Sequence, residues 1–333
     1  MGKSRILQHN LENVRVRKDV FGNEKKDLTV KGRIGFVPIS IWKCNWGLTK
    51  KLKRIIGDFG RSRSLDVNVS SEICGYRHKS QNYRSHGNSY RNTLNKSTGG
   101  WHKTGPLYGG CSTDVYDDVS IFNPHLALMI LSAYCPKGAY IYDPFAGGGT
   151  RGFIAAAMGF RYYGREIRQV EIDRIKQIQK KLKLKFHIRC ADAKSKPPKN
   201  EAFDFSYTCP PYWNMEVYSA MADDLSNAHT YEQFLSGLKK VLISTYKALK
   251  PGALSIWVVG NFRHGHRLLH FNGDLVRVAG EVGFQLHDEI IFWGGSGQAG
   301  SRSGMFVKNR KSIRIHEYIV ILKKPKAPTN KEK

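Results

Sequence analysis

From residue 120 onward, short apolar segments alternate with longer amphipathic ones, with a regularity that leaves few folds open. IFNPHLALMILSAYC, TRGFIAAAMG and RQVEIDRIKQIQKKLKL carry apolar residues at helical spacing. Between and after them KGAYIYDPFAG, FRYYGREI, FHIRC and FDFSYTCPPYW read as strands. Thr230, Tyr231, Glu232 and Gln233 form a capping-box pattern ahead of Phe234, Leu235, Leu238, Val241, Leu242 and Leu249, in a helix closed by K-P-G. ALSIWVVGN then reads as a buried strand, LVRVAGEVG as a helix, and FQLHDEIIF and IRIHEYIVIL as the last two strands. Strand and helix alternating at this pitch predict a mainly parallel sheet covered on both faces, with functional groups at the carboxyl ends of its strands.

Residues 1–115 have a different texture. Residues 1–110 hold 22 Lys/Arg against 7 Asp/Glu, and 60–105 are rich in Ser, Asn, Gly, Arg and Tyr with little periodicity, as polar loop would be. The ordered-looking stretches are IGFVPISIW and, after it, LTKKLKRIIGDFG, which reads as a short basic helix ended near Gly57. Over the whole chain 54 Lys+Arg face 27 Asp+Glu, a formal charge of +27. Self-repulsion of that size points to a polyanionic partner, and nucleic acid is the obvious one. No run of 18 apolar residues and no apolar region in MGKSRILQHN support a membrane span or a secretory signal, so a cytoplasmic protein is expected. The six cysteines, at 44, 74, 111, 135, 190 and 209, form no C-x-x-C pair, which argues against a disulfide framework and a zinc ribbon. His264, His266 and His270 lack partner acids or cysteines, and no metal is expected.

Four motifs carry chemistry. D-P-F-A-G-G-G-T, Asp143 to Thr150, lies on a strand-to-helix turn, where successive glycines let the backbone approach a ligand and the following helix offers free N–H groups. It lacks the lysine of a P-loop and the spacing of G-x-G-x-x-G. Glu166 ends the next strand, about 20 residues beyond the glycine turn, where a carboxylate can accept both hydroxyls of a ribose. Asp192, after the third strand, is suited to an adenine amino group. T-C-P-P-Y-W, Thr208 to Trp213, ends the fourth strand; its two prolines fix an extended turn and leave the preceding carbonyls without local donors, while Tyr212 and Trp213 would offer exposed flat faces.

These residues resemble the S-adenosylmethionine-dependent amino-methyltransferases of DNA, and within them the phage-type modification methylases. D-P-F-A-G-G-G-T matches the family's cofactor loop and T-C-P-P-Y-W its (Asp/Ser/Asn)-Pro-Pro-(Tyr/Phe/Trp) motif, and the likeness spans about residues 120 to 323. It implies a Rossmann-like class I methyltransferase fold, a mostly parallel seven-stranded sheet with an antiparallel strand, over residues 116–325. A basic irregular segment, 1–115, would precede it as target-recognition element, and a basic tail, 326–333, would follow. Asp143 and the turn from Ala146 through Gly147 to Gly149 would hold the methionine end of the cofactor, with Phe145 packing nearby and Pro144 and Thr150 also cofactor-binding; Glu166 would hold its ribose and Asp192 its adenine. Cys209, Pro210, Pro211, Tyr212 and Trp213 would form the catalytic turn, receiving a base flipped out of double-stranded DNA. The resemblance leaves N6-adenine and N4-cytosine both open, admits a restriction partner, and would place a phage-encoded enzyme in the host cytoplasm.

Cys209 departs from the family, since a thiol is a much weaker acceptor than a carboxylate or hydroxyl. Three readings stand: a tolerated substitution, a slow or inactive enzyme, and a covalent nucleophile as in carbon-5 pyrimidine methylation, the last disfavoured because those enzymes place the cysteine after a proline. Recognition is expected from the first 115 residues, with Tyr76, Tyr83, Tyr90 and Trp101 as stacking candidates. It is also expected from two loops, NFRHGHRLLH and GGSGQAGSRSGMFVKNRK, through Arg263, Arg302, Lys308 and Arg310. An RNA base methyltransferase and a non-catalytic nucleic-acid-binding protein with a degenerate methylase fold are the alternatives.

Overall fold

The computed structural model describes residues 16–18, 24–26, 40–43, 122–215, 219–293, 310–312 and 314–326. The basic helix near Gly57, the aromatic candidates Tyr76, Tyr83, Tyr90 and Trp101, and Arg302 and Lys308 lie outside the described residues.

Strands β1 (Val16–Lys18) and β2 (Glu24–Lys26) form a small antiparallel pair. The third strand, β3 (Ile41–Lys43), precedes the first described helix, α1 (Pro124–Tyr134). Asn123 caps α1 by accepting from the N–H groups of His125 and Leu126, and Pro124 occupies the first turn, where its missing donor costs nothing. There follow β4 (Tyr140–Asp143), α2 (Thr150–Ala157), β5 (Arg161–Glu166), α3 (Gln169–Leu182), β6 (His187–Cys190) and β7 (Phe203–Thr208). Helix α4 (Tyr231–Ala248) opens with the expected cap: Thr230 Oγ1 accepts from Gln233 N at 3.1 Å. The chain continues through β8 (Leu249–Val259), a hairpin of β9 (Phe262–His264) and β10 (Arg267–Leu269), α5 (Phe271–Val282), β11 (Gln285–Trp293) and β12 (His316–Lys323).

Eight strands join one sheet in the order β3-β11-β12-β8-β7-β4-β5-β6. From β8 to β6 every neighbour is parallel; β12 alone runs against both of its neighbours. The chain winds outward from β4 to β6, returns to β7 on the other side of β4, and so makes a crevice at the carboxyl ends of β4 and β7. This is the α/β, class I methyltransferase arrangement of seven strands with one reversed. Each face carries its own apolar layer. One is built on Leu126, Ile130, Ile141, Phe205, Ile256 and Ile319, the other on Tyr142, Phe234, Leu238, Trp257, Val259 and Phe271.

Two of the departures from the sequence reading bear on the main sheet. K-P-G does not separate helix from strand: β8 starts at Leu249 and runs through it, with Gly252 at φ 82° and a register shift against β7 between Phe203 and Phe205. The sheet also has an eighth strand. Ile41–Lys43, from within the basic first 115 residues, pairs in parallel with β11, and Trp42 is buried among core residues, stacked on Tyr134 at 6.1 Å between ring centroids.

Burying an indole of this size makes β3 part of the core. Trp42→Ala is expected to destabilise the protein by about 3–5 kcal/mol, read from urea unfolding, with Trp42→Phe recovering most of the loss.

Candidate active site

Strand β4 ends at Asp143, which is fully buried. Its two oxygens take four donors from four elements. Oδ1 accepts from Phe145 N at 3.0 Å and Thr208 Oγ1 at 2.7 Å, and Oδ2 from Arg151 Nε at 2.7 Å and Tyr162 OH at 2.6 Å. Arg151 also donates to the Phe145 carbonyl and lies over the Phe122 ring at 4.8 Å. Burial opposes the charge of Arg151, but Asp143, with Tyr162 and Cys209, outweighs it and raises the guanidinium pKa. Asp143 therefore lies beneath the cleft and faces protein. Its expected contact with a cofactor's methionine end is replaced by a tie between the two motif-bearing strands, because no lone pair is left over.

Above it the glycine turn curls back on the sheet. Ala146 N donates to Arg165 O at 2.8 Å and Gly149 N to Ala146 O at 3.0 Å. Gly147 and Gly149 have φ of 52° and 82°, the left-handed region that a side chain disfavours. A Cβ on Gly149 would lie 2.9 Å from Ile175 Cγ1, whereas one on Gly148 would meet nothing within 4 Å. Gly149 thus packs the turn against α3, and Gly148 borders open space. Helix α2 begins at Thr150 with no side-chain cap, so its first N–H groups lack that local acceptor.

Glu166 closes the turn from the side. Its Oε2 accepts from Gly147 N at 3.0 Å and Oε1 from Arg168 N at 2.9 Å, which leaves one lone pair on each oxygen for a further donor. Burial pushes its carboxyl up to about 7, against the pull of those N–H groups. Asp192 stands after β6, where Oδ1 accepts from Lys194 N at 2.8 Å and Oδ2 lies 3.7 Å from Lys194 Nζ. The loop it begins is pinned by buried Arg165, which donates to the carbonyls of Asp192 at 3.3 Å and Ser195 at 3.2 Å.

Thr208, Cys209, Pro210, Pro211 and Tyr212 leave β7 beside this turn. Tyr212 stacks on Phe262 at 6.0 Å, meets Phe271 edge-on at 6.1 Å, and donates to Glu317 Oε1 at 3.2 Å. Trp213 corrects the expectation of an exposed stacking face. It is buried, its Nε1 donates to Ala228 O at 2.8 Å, and Tyr231 and His264 pack on it at 5.5 and 4.7 Å. An indole needs a partner for its N–H when buried, and the carbonyl after a 3₁₀ turn (Leu225–Asn227) supplies it.

The two motifs border one cleft of about 310 Å³. Of the expected residues Pro144, Phe145, Ala146, Gly147, Thr150, Glu166, Asp192, Cys209, Pro210, Pro211 and Tyr212 line it; Asp143, Gly149 and Trp213 do not. Unforeseen lining residues are Phe122 and Asn123, Arg151, Arg165, Arg168 and Arg174, Lys194, Asp223 to Leu225, Phe292 and Glu317. The sequence holds a signal for one of them: Glu317 is an acid opening an otherwise apolar strand in H-E-Y-I-V-I-L.

Arg263 sits on the β9–β10 hairpin, half-buried, and Arg310 is exposed with φ 52°. The two expected recognition loops meet where Lys311 Nζ lies 3.1 Å from His266 Nδ1. Among the described residues no group of three or more His, Cys, Asp or Glu is disposed to hold a metal ion, and no helix is long and apolar enough to cross a membrane.

Comparison with known proteins bears on this geometry. Residues 203–333 match the N6_N4_Mtase family of DNA methylases, a span that starts at β7 and leaves the glycine turn outside it. No curated protein matches the chain. Similar solved structures include the [4+2]-cyclase SpnF, 16% identical, with TM-score 0.44, covering 61% of this chain and 81% of that one. A Methanosarcina mazei S-adenosylmethionine-dependent methyltransferase is 14% identical, with TM-score 0.42, covering 60% and 98%. A candidate DNA modification methylase from Thermus thermophilus is 24% identical, with TM-score 0.30, covering 42% of this chain and 55% of that one.

Two outcomes are expected of the site's acids. Asp143→Asn leaves Arg151 buried beside a neutral group and should cost about 3–5 kcal/mol in urea unfolding. Glu166 binds its proton more tightly folded than unfolded, since its pKa is raised from 4.5 to about 7. Its contribution to stability is complete below that lower value and fades as pH rises through the upper one. Glu166→Gln should flatten this component in melts taken across that range.

Proposed function

We propose that this chain, which carries a DNA methylase family domain at residues 203–333, is an S-adenosylmethionine-dependent methyltransferase. Its target is the exocyclic amino group of adenine (N6) or cytosine (N4) in double-stranded DNA. The observation that carries the reading is that the glycine turn after β4 and the T-C-P-P-Y turn after β7 open into one cleft and are tied by the Thr208–Asp143 hydrogen bond.

The residues present fit the cofactor. Glu166 keeps a lone pair on each oxygen for two ribose hydroxyls, the Gly148 face of the turn is open, and the cleft, about 310 Å³, falls in the range of small-molecule sites. Glu166 would hold the ribose, Asp192 the adenine, and the turn from Ala146 to Thr150 the methionine end. When bound, the cofactor supplies an electrophilic methyl group on a sulfonium.

The chain's own residues do the rest. An exocyclic amine is a poor nucleophile while its lone pair is delocalised into the ring, so its N–H bonds have to be drawn into hydrogen bonds. Pro210 supplies a carbonyl acceptor, and the prolines at 210 and 211 bring no N–H to compete for nearby carbonyls. Tyr212, held by Phe262, Phe271 and Glu317, offers a ring to the target base, which has to leave the duplex to arrive there.

The excess of 54 Lys+Arg over 27 Asp+Glu supports a polyanionic substrate. Strand β3 is parallel to β11, so both end at the carboxyl edge of the sheet, and Phe122 lies in the cleft wall. Among nucleic acids the family match favours DNA over RNA, and the preserved cleft favours an enzyme over a binding-only protein. A cytoplasmic location belongs to this reading.

Labelled S-adenosylmethionine is expected to transfer its methyl group to duplex DNA, with N6-methyladenine or N4-methylcytosine identified by nucleoside mass spectrometry. Label confined to RNA, or found only as 5-methylcytosine, would overturn the reading. Affinity for duplex DNA should fall by at least about tenfold between 50 and 200 mM salt, as phosphate contacts require, measured by fluorescence anisotropy.

A further inference from the structure

Strand β12 is the reversed member of the sheet, so it presents its first residues at the edge where its parallel neighbours present their last. Its side chains alternate between faces. Tyr318, Val320 and Leu322 belong to one apolar layer, and Ile319 and Ile321 to the other, the layer against which Cys209 packs. By the same period of two, Glu317 heads the file of Ile319 and Ile321. It therefore stands on the Cys209 side of the sheet, in register with Phe292, and all three line the cleft.

An acid in such a place needs a reason. Glu317 is half-buried, burial raises its pKa, and among the described residues its carboxylate is bonded by the Tyr212 hydroxyl at 3.2 Å. One such bond satisfies one lone pair of a carboxylate that can take about four hydrogens. A group in that position is costly to the fold unless something in the cleft uses it. The catalytic turn lacks what this acid could supply, because its first position is a thiol, a weak acceptor and a poor substitute for a carboxylate.

We propose that Glu317 is a catalytic residue: its carboxylate accepts an N–H of the target amino group and takes the proton released when that nitrogen is methylated. The inference rests on the methyltransferase reading above. In the step, the amine lone pair forms the N–CH₃ bond as the S–CH₃ bond of the sulfonium breaks, its electrons remaining on sulfur to give a thioether. The positive charge passes to nitrogen, and the N–H bond then breaks with its electrons staying on nitrogen. The proton goes to Glu317, and from there to solvent after product leaves. Cys209 packs against the layer of Ile319 and Ile321, and no sulfur–carbon bond to the base is needed.

Steady-state and single-turnover methylation of duplex DNA by the full-length protein tests this with Glu317→Gln and Cys209→Asp, singly and together. Glu317→Gln keeps the size of the side chain and an acceptor for Tyr212 but cannot take a proton. It should lower kcat by about 10²-fold, the usual worth of a general base, with little change in KM for DNA. Its affinity for S-adenosylmethionine by calorimetry should match that of the unmodified protein, and its melting temperature should not fall. Cys209→Asp restores a carboxylate at the catalytic turn and should recover at least about tenfold of that loss in the double variant. Glu317→Gln within threefold of the unmodified protein, or a double variant no better than Glu317→Gln, would overturn the proposal while leaving the methyltransferase reading in place. Unmodified protein that binds S-adenosylmethionine but methylates no nucleic acid overturns both.

Discussion

The carboxylate of Asp143 is removed from solvent and accepts from Phe145, Arg151, Tyr162 and Thr208, which belong to the glycine turn, α2, β5 and β7. A buried charge is tolerated only when paired and fully hydrogen-bonded. No single element can meet that demand here, so the network exists only when all four are in register. Two consequences follow for the site. The glycine turn is pulled down onto the sheet, which leaves its free face toward the cleft. Thr208, the last residue of β7, is fixed against β4, which sets where Cys209 and the prolines emerge.

The reversed strand completes what that network begins. Parallel strands alone present only their carboxyl ends to the crevice, and an antiparallel β12 adds an amino end, bringing Glu317 to the wall opposite the glycine turn. Its neighbour β11 would otherwise be an open edge, with unpaired backbone groups and Phe292 beside them. The short β3 pairs with that edge and Trp42 covers it. Ile41–Lys43 thus belong to the sheet.

Much of this was legible in the residues. Helical and strand periodicities located the elements of the seven-stranded core, most of them long enough to show a buried face, although four-residue β6 has no buried side chain; the cap at Thr230 and the turn at Gly147 to Gly149 follow from local chemistry. The glycine turn, Glu166, Asp192, Cys209 and the two prolines were recognisable as strand-end residues and do meet. Trp213 was misread because an aromatic beside a Pro-Pro turn gives no sign of which way it faces; the carbonyl of Ala228, fifteen residues on, decided that. Asp143 was misread for a related reason. An acid before a glycine turn looks available until the donors from β5 and β7 are counted. Ile41 and Trp42 end the ordered-looking stretch IGFVPISIW, but nothing local links it to a sheet whose next strand in the chain begins about a hundred residues later.

What the sequence alone determined is the alternation of strand and helix, and with it the crevice at the strand ends, together with the thiol in place of the usual acceptor and the excess of positive charge. Those are properties of spacing and composition, which survive without knowledge of partners. The tertiary structure decided which side chains face the cleft. Asp143 and Trp213 went inward, because a buried carboxylate and a buried indole N–H each found partners far along the chain. Glu317 came into the wall because a strand's direction, which no local pattern encodes, is set by the neighbours it pairs with.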